Sequence, residues 1–168
     1  DTSTSSDNRY VYNDYTYNTT AWIVNTVKHS YLNASNDSTK VSESLFYYDG
    51  NTSVDTAPTK GDLTKEEKWL SGGNVITQYA YDTYGNQTSV TDANNHTTSI
   101  AYDTATKTYP ISTTNAKSQT ATMSYDLGTG NLLSKTDPNN LTTTYEYDVF
   151  GRITKEIKPY DSSSNPTT

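Results

Sequence analysis

Chemistry in this chain would have to come from carboxylates, two imidazoles and a large set of phenols. There are no cysteines, so disulfides, thiolate catalysis and cysteine-based zinc sites are excluded. His29 and His96 are the only histidines, and they stand far apart in the sequence. Zinc takes three or four ligands from His, Cys and carboxylate, so this pair falls short of a metal site. No Gly-x-Ser-x-Gly elbow marks a nucleophile. Paired Asp residues could in principle hydrolyse a glycoside. Asp- and Asn-rich loops could offer oxygen ligands to calcium, but no Asp-x-Asp-x-Asp-Gly loop occurs. Exposed tyrosine faces could stack on sugars. No catalytic residue, cofactor or metal is expected.

The spacing of the acids supports a plainer role. Tyr-Asp recurs at Tyr81-Asp82, Tyr102-Asp103, Tyr125-Asp126 and Tyr147-Asp148, in steps of 21, 23 and 22 residues, with a further copy at Tyr48-Asp49. A fixed period of roughly 20 to 50 residues is the signature of a repeat architecture. Between these copies stand Asp92, Asn115 and Asp137, so an acid or amide falls every 10 to 12 residues. Turn chemistry follows each one, for example Thr83-Tyr84-Gly85-Asn86 and Pro138-Asn139-Asn140. Asp or Asn at the first turn position accepts backbone N–H bonds, and Gly supplies positive φ. Such spacing indicates all-β structure, two strands and two turns per unit.

The elements that position these turns follow from alternation. On a strand the side chains point to opposite faces with period two. Phe46/Tyr48, Tyr79/Tyr81, Ile100/Tyr102, Met123/Tyr125 and Tyr145/Tyr147 share one face. Tyr47, Ala80, Ala101, Ser124 and Glu146 lie between them and define a wet face. Stacked repeats would bring the motif tyrosines into one column. The return strands are expected at Thr88–Thr91, Ile111–Thr114, Leu132–Lys135 and Ile153–Ile157. Residues 55–74 interrupt the period, and Gly72-Gly73 turns a strand at Leu63–Leu70 into a hairpin with Val75–Tyr81. Arg9–Tyr17, Ala21–Leu32 and Lys40–Tyr48 read as a less regular β meander. The expected organisation is a meander over 1–45, repeats over 46–160 with an insertion hairpin at 55–78, and a polar tail at 161–168. Residues 1–8 read as a loose polar end.

Composition agrees. The hydrophobic fraction is 31%, against roughly 45–50% in typical domains on a count that includes Gly. Sixteen tyrosines and abundant Thr favour strands over disorder. Net charge is −7 with no Lys/Arg cluster, which argues against nucleic acid and an anionic membrane as partners. No apolar run of 18 residues exists. The sequence from Asp1 onward shows no basic segment or apolar h-region of a signal peptide, so the chain is expected to be a processed product or an excised piece.

The residues Tyr79-Ala80-Tyr81-Asp82-Thr83-Tyr84-Gly85-Asn86 and Tyr145-Glu146-Tyr147-Asp148-Val149-Phe150-Gly151-Arg152 resemble the YD, or Rhs, repeat. Thr91–Thr98 and Thr136–Thr143 are similar to its second-turn motif, and the resemblance covers about 46 to 159. At Asp103, Thr106 replaces the turn Gly. After Asp126 the turn is shifted to Leu127-Gly128-Thr129-Gly130. The resemblance implies a curved, spiral sheet of antiparallel strands and hairpins, in which Tyr48, Asp49, Tyr79, Tyr81, Asp82, Gly85, Tyr102, Asp103, Tyr125, Asp126, Tyr145, Tyr147, Asp148 and Gly151 are structural repeat residues. In bacterial toxins of this family such a shell sequesters an effector, and in teneurins it belongs to an adhesion ectodomain. The chain is expected to be a non-catalytic slice of such a shell, secreted or on a bacterial surface, with too few repeats to close a cavity. Its expected partners are neighbouring repeats of the same or an identical chain, with glycans or an encapsulated effector as further possibilities. The alternatives are a fibre subunit assembling through open strand edges and a carbohydrate-binding or adhesion module.

Overall fold

A computed structural model describes residues 9–34 and 40–166. The expectation for residues 1–8 lies outside them. Twelve strands run β1 (Arg9–Asn18), β2 (Ile23–Ala34), β3 (Lys40–Tyr48), β4 (Leu63–Lys68), β5 (Val75–Tyr81), β6 (Gln87–Thr91), β7 (Thr97–Tyr102), β8 (Pro110–Thr114), β9 (Thr120–Tyr125), β10 (Leu132–Thr136), β11 (Thr142–Tyr147) and β12 (Ile153–Ile157). Among the described residues there is no helix, and so none long and apolar enough to cross a membrane. Within each unit the paired strands follow chain order, each antiparallel to the next. Every expected strand is present within two residues at each end, including β4.

The chain forms two compact units, one of residues 1–81 and 90–95 and the other of 82–89 and 96–168. In the first, β1 to β5 pair in succession. The insertion is a loop up to Asp62, and the hairpin arms are β4 and β5. That loop packs back on β1 and β2. Pro58 is fully buried, and its carbonyl accepts the Asn18 amide at 2.9 Å. The Thr16 hydroxyl, on a buried residue, donates to the Thr56 carbonyl at 3.4 Å. Tyr47 differs from the expected wet face: it is buried, 8% exposed, with the Lys65 ammonium 3.6 Å from its ring centre. An ammonium over a phenol gains cation–π attraction that a solvated Lys would lack.

In the second unit, β7 to β12 pair in succession. Ile100, Tyr102, Met123, Tyr125, Tyr145 and Tyr147 are half-buried, while Ala101, Ser124 and Glu146 are exposed, as alternation requires. The wet face is lined largely by hydroxyls, with an ion pair between Glu146 and Lys155 at 2.8 Å. Thr114 meets Thr120 at 2.8 Å, Ser124 meets Ser134 at 2.7 Å, and Thr136 meets Thr142 at 2.8 Å. Cross-strand pairs of this kind each contribute about 0.2–1 kcal/mol. This lets a sheet with little apolar area hold its register.

Two turn glycines separate conformation from packing. Gly85 has φ 86° with open space around it, whereas Gly130 has φ 79° and a methyl there would lie 3.0 Å from the Tyr109 hydroxyl. Left-handed backbone costs a non-glycine residue roughly 1–2 kcal/mol. Gly85→Ala should therefore lower stability by about that amount, and Gly130→Ala by more. Equal urea midpoints for the two variants would contradict the packing part of this account.

Candidate functional site

The recurrent unit of the molecule is the tyrosine-aspartate hairpin. At each regular turn the first-position side chain accepts from its own backbone. The Asp82 carboxylate takes the N–H of Tyr84 at 2.8 Å and of Asn86 at 2.9 Å. Asp148 takes Phe150 at 2.9 Å and Arg152 at 3.0 Å, and Asp137 takes Asn139 at 2.8 Å and Leu141 at 2.9 Å. Asn115 does the same through its amide oxygen, to Lys117 and Gln119. The third residue after each of these is left-handed: Gly85, Gly151, Asn140 and Ser118. A type I turn followed by a left-handed residue is a three-residue hairpin connection.

The two degenerate copies use longer turns. After Asp103 the left-handed residue is Lys107 (φ 58°), not Thr106, which instead donates its N–H and hydroxyl to the Asp103 carboxylate. Thr108 and Tyr109 add N–H bonds at 2.9 Å each. After Asp126 the left-handed residue is Gly130, and the carboxylate takes Gly128 and Thr129. Asp49 closes the widest loop, accepting from Thr59, Lys60, Gly61 and Asp62 at 2.6–3.1 Å.

These bonds set the acidity. At Asp49 and Asp103 burial opposes ionisation, but the backbone N–H groups outweigh it and hold both carboxyls well below the usual range. The Arg152 N–H and guanidinium lower Asp148, and the Leu141 N–H lowers Asp137. Hydrogen bonding to the charged form favours that form. Every one of these shifts is the mark of a satisfied turn acceptor.

The motif tyrosine has a matching task at the other side of the hairpin. Past the turn, the returning strand carries one unpaired residue. Thr64, Ile111, Leu133 and Thr154 each fall between paired neighbours, whereas β8–β9 and β10–β11 run without a shift. A bulge disrupts the ladder locally. The Tyr147 hydroxyl donates to the Leu132 carbonyl at 2.8 Å, beside unpaired Leu133. Tyr48 donates to Val27 at 2.7 Å, beside unpaired Lys28, and Tyr102 donates to Gln87 at 3.1 Å. The Tyr125 hydroxyl reaches only the Met123 sulfur at 3.7 Å, and its ring stacks on Tyr109 at 5.1 Å.

One copy escaped the sequence reading. Asn18 follows Tyr15-Thr16-Tyr17, and its amide oxygen accepts Thr20 and Ala21 at 3.0 Å, as Asp126 accepts Gly128 and Thr129. The strand after it also carries an extra residue. The Tyr-x-Tyr-Asn pattern was the available signal, hidden by Asn standing for Asp. Of the histidines, His29 lies between Asp14 at 3.2 Å and Glu43 at 2.9 Å and stacks on Tyr31. Among the described residues no cluster of His and carboxylates could hold a metal ion.

Two outcomes check this geometry. Tyr147→Phe should cost about 1 kcal/mol, because the Leu132 carbonyl loses its donor, while Tyr125→Phe should cost less. Similar losses in urea melts would reject the assignment. The carboxyls held low in the folded chain add stability that is complete above the unfolded value of about 3.9. That stability drains as pH falls further, through the folded values. The melting temperature should therefore fall below about pH 4, and Asp103→Asn should flatten that decline. An unchanged acid slope in this variant would count against the turn-acceptor role.

Residues 125–163 match the family model of the RHS repeat. No curated protein matches the chain. Among solved structures, a crystal structure of TcdB2-TccC3 is similar at 13% identity and TM-score 0.32, covering 92% of this chain and 11% of that one. The Photorhabdus luminescens Tc holotoxin pore is similar at 13% identity and TM-score 0.31, covering 92% and 10%. The chain thus spans about a tenth of the length of these structures. The RHS-repeat match thus falls on the last full Tyr-Asp unit of the chain, the one that begins at Tyr125-Asp126.

Proposed function

We propose that this chain is a non-catalytic structural segment of a secreted or surface YD/Rhs-repeat protein, a stretch of β-sheet wall in a shell that encloses an effector. The observation that carries the structural part is the engagement of the repeat acids. Asp49, Asp82, Asp103, Asp126, Asp137 and Asp148 each accept backbone N–H groups of their own turn. A carboxylate so held sets strand length and is poorly suited to accept a substrate proton. The partners in this reading are neighbouring repeats, of the same or an identical chain, each contacting the next.

Stability in such an array is close to a sum of repeat and nearest-neighbour terms. Removing residues 142–168, and then 120–168, should lower the denaturant midpoint in steps while leaving the remaining strands folded by circular dichroism. Complete unfolding on the first truncation would reject the wall. For the shell, polypeptide following the array in the parent protein should resist protease until the array is denatured, and immediate digestion would reject enclosure.

A further inference from the structure

An open groove of about 920 Å³ lies in the second unit between the turns at Asp126 and Asp148. Asn131, Leu133, Tyr145, Tyr147 and Phe150 contribute to its walls. Leu133 is 41% exposed and Phe150 80%, so the apolar lining faces water.

The first unit holds the corresponding pair of turns, at Asn18 and Asp49. The correspondence is one of elements: Tyr15 pairs with Val27 as Tyr125 pairs with Leu132, and the first hairpin runs two residues further to its turn. Asn18 caps its turn as Asp126 does. Tyr48 reaches the Val27 carbonyl across the neighbouring strand as Tyr147 reaches Leu132. An unpaired residue follows each turn. In the first unit, however, the space between the turns is occupied. The chain's own residues 56–61 lie there, with Pro58 fully buried. The Asn18 amide holds the Pro58 carbonyl and the Thr16 hydroxyl that of Thr56, and a methyl on Gly61 would meet Ile23 at 3.6 Å. The Asp49 carboxylate gathers the N–H groups at the end of the segment.

We propose that the groove of the second unit is a docking site for an extended, proline-centred peptide of another polypeptide, bound as residues 56–61 are bound in the first. Proline suits such a place because it has no N–H to satisfy and its fixed φ leaves less chain entropy to lose. Its ring would lie on Leu133 and Phe150. The donor supplied by the Asn18 amide in the first unit has its counterpart in the Asn131 amide, because Asp126 cannot donate. Small polar flanks, like Thr56, Ala57 and Thr59, avoid burying charge beside Glu146 and Asp148, which already pair with Lys155 and Arg152. The site stands whether or not the array encloses an effector.

The test is an amide chemical-shift titration of the full chain with the peptide acetyl-Asp-Thr-Ala-Pro-Thr-Lys-Gly-amide. Shifts should cluster at Leu133, Tyr147 and Phe150. Phe150→Ala, at an exposed position that leaves the fold intact, should weaken binding roughly tenfold, equivalent to about 1.4 kcal/mol. Replacing the peptide proline by glycine should weaken it similarly. Absence of shifts at millimolar peptide would overturn the proposal. So would shifts confined to Asn18 and Ile23, which would mean that the peptide displaces the chain's own loop, or binding indifferent to Phe150.

Discussion

Everything regular in this molecule depends on one interaction, a side-chain oxygen accepting the backbone N–H groups of the turn it begins. A reversing chain exposes N–H groups that no neighbouring strand can reach, and an unpaired buried donor is costly. Asp supplies a charged acceptor within two to four residues, and charge-assisted bonds are about twice as strong as neutral ones. The same geometry at Asp82, Asp137 and Asp148 therefore gives strands of nearly equal length. Where the turn lengthens, as at Asp49 and Asp103, the carboxylate gathers more donors and the loop stays closed.

Tyrosine completes the unit because it has both a ring and a hydroxyl. The ring shields one face of a sheet that has little apolar area. The hydroxyl takes a carbonyl beside the bulge left by the preceding hairpin, at Leu132 and Val27. A phenylalanine would supply the first and not the second. This links one repeat to the next through a polar contact as well as through the ladder, and it accounts for Tyr standing directly before Asp. The opposite face is held by hydroxyl pairs between strands, which need no buried area at all.

The strand ladder, the turn positions and the alternation of faces in the second unit were legible in the sequence, because they rest on contacts between residues fewer than about 25 positions apart. Asp103 shows the limit of that legibility. Its turn is lengthened by one residue so that Lys107, not Thr106, takes the left-handed conformation, and no local signal distinguishes the two. Asn18 shows another. An amide replaces the acid, and the interval to the next copy is stretched by the meander, so the period conceals it.

The sequence by itself determined that the chain is an antiparallel all-β array and that its acids begin turns, since local hydrogen bonding and period-two alternation decide both. Only the tertiary structure decided which side chains of the first unit are fully covered. Tyr47 lies on the face that alternation marks as wet, yet it is covered, because Lys65 from the neighbouring strand sits over its ring. Pro58, in a loop with no period, is among the most buried residues, because Asn18, forty positions earlier, holds its carbonyl. Burial of this kind depends on partners distant in the chain, and their approach is set by the folded sheet and not by spacing.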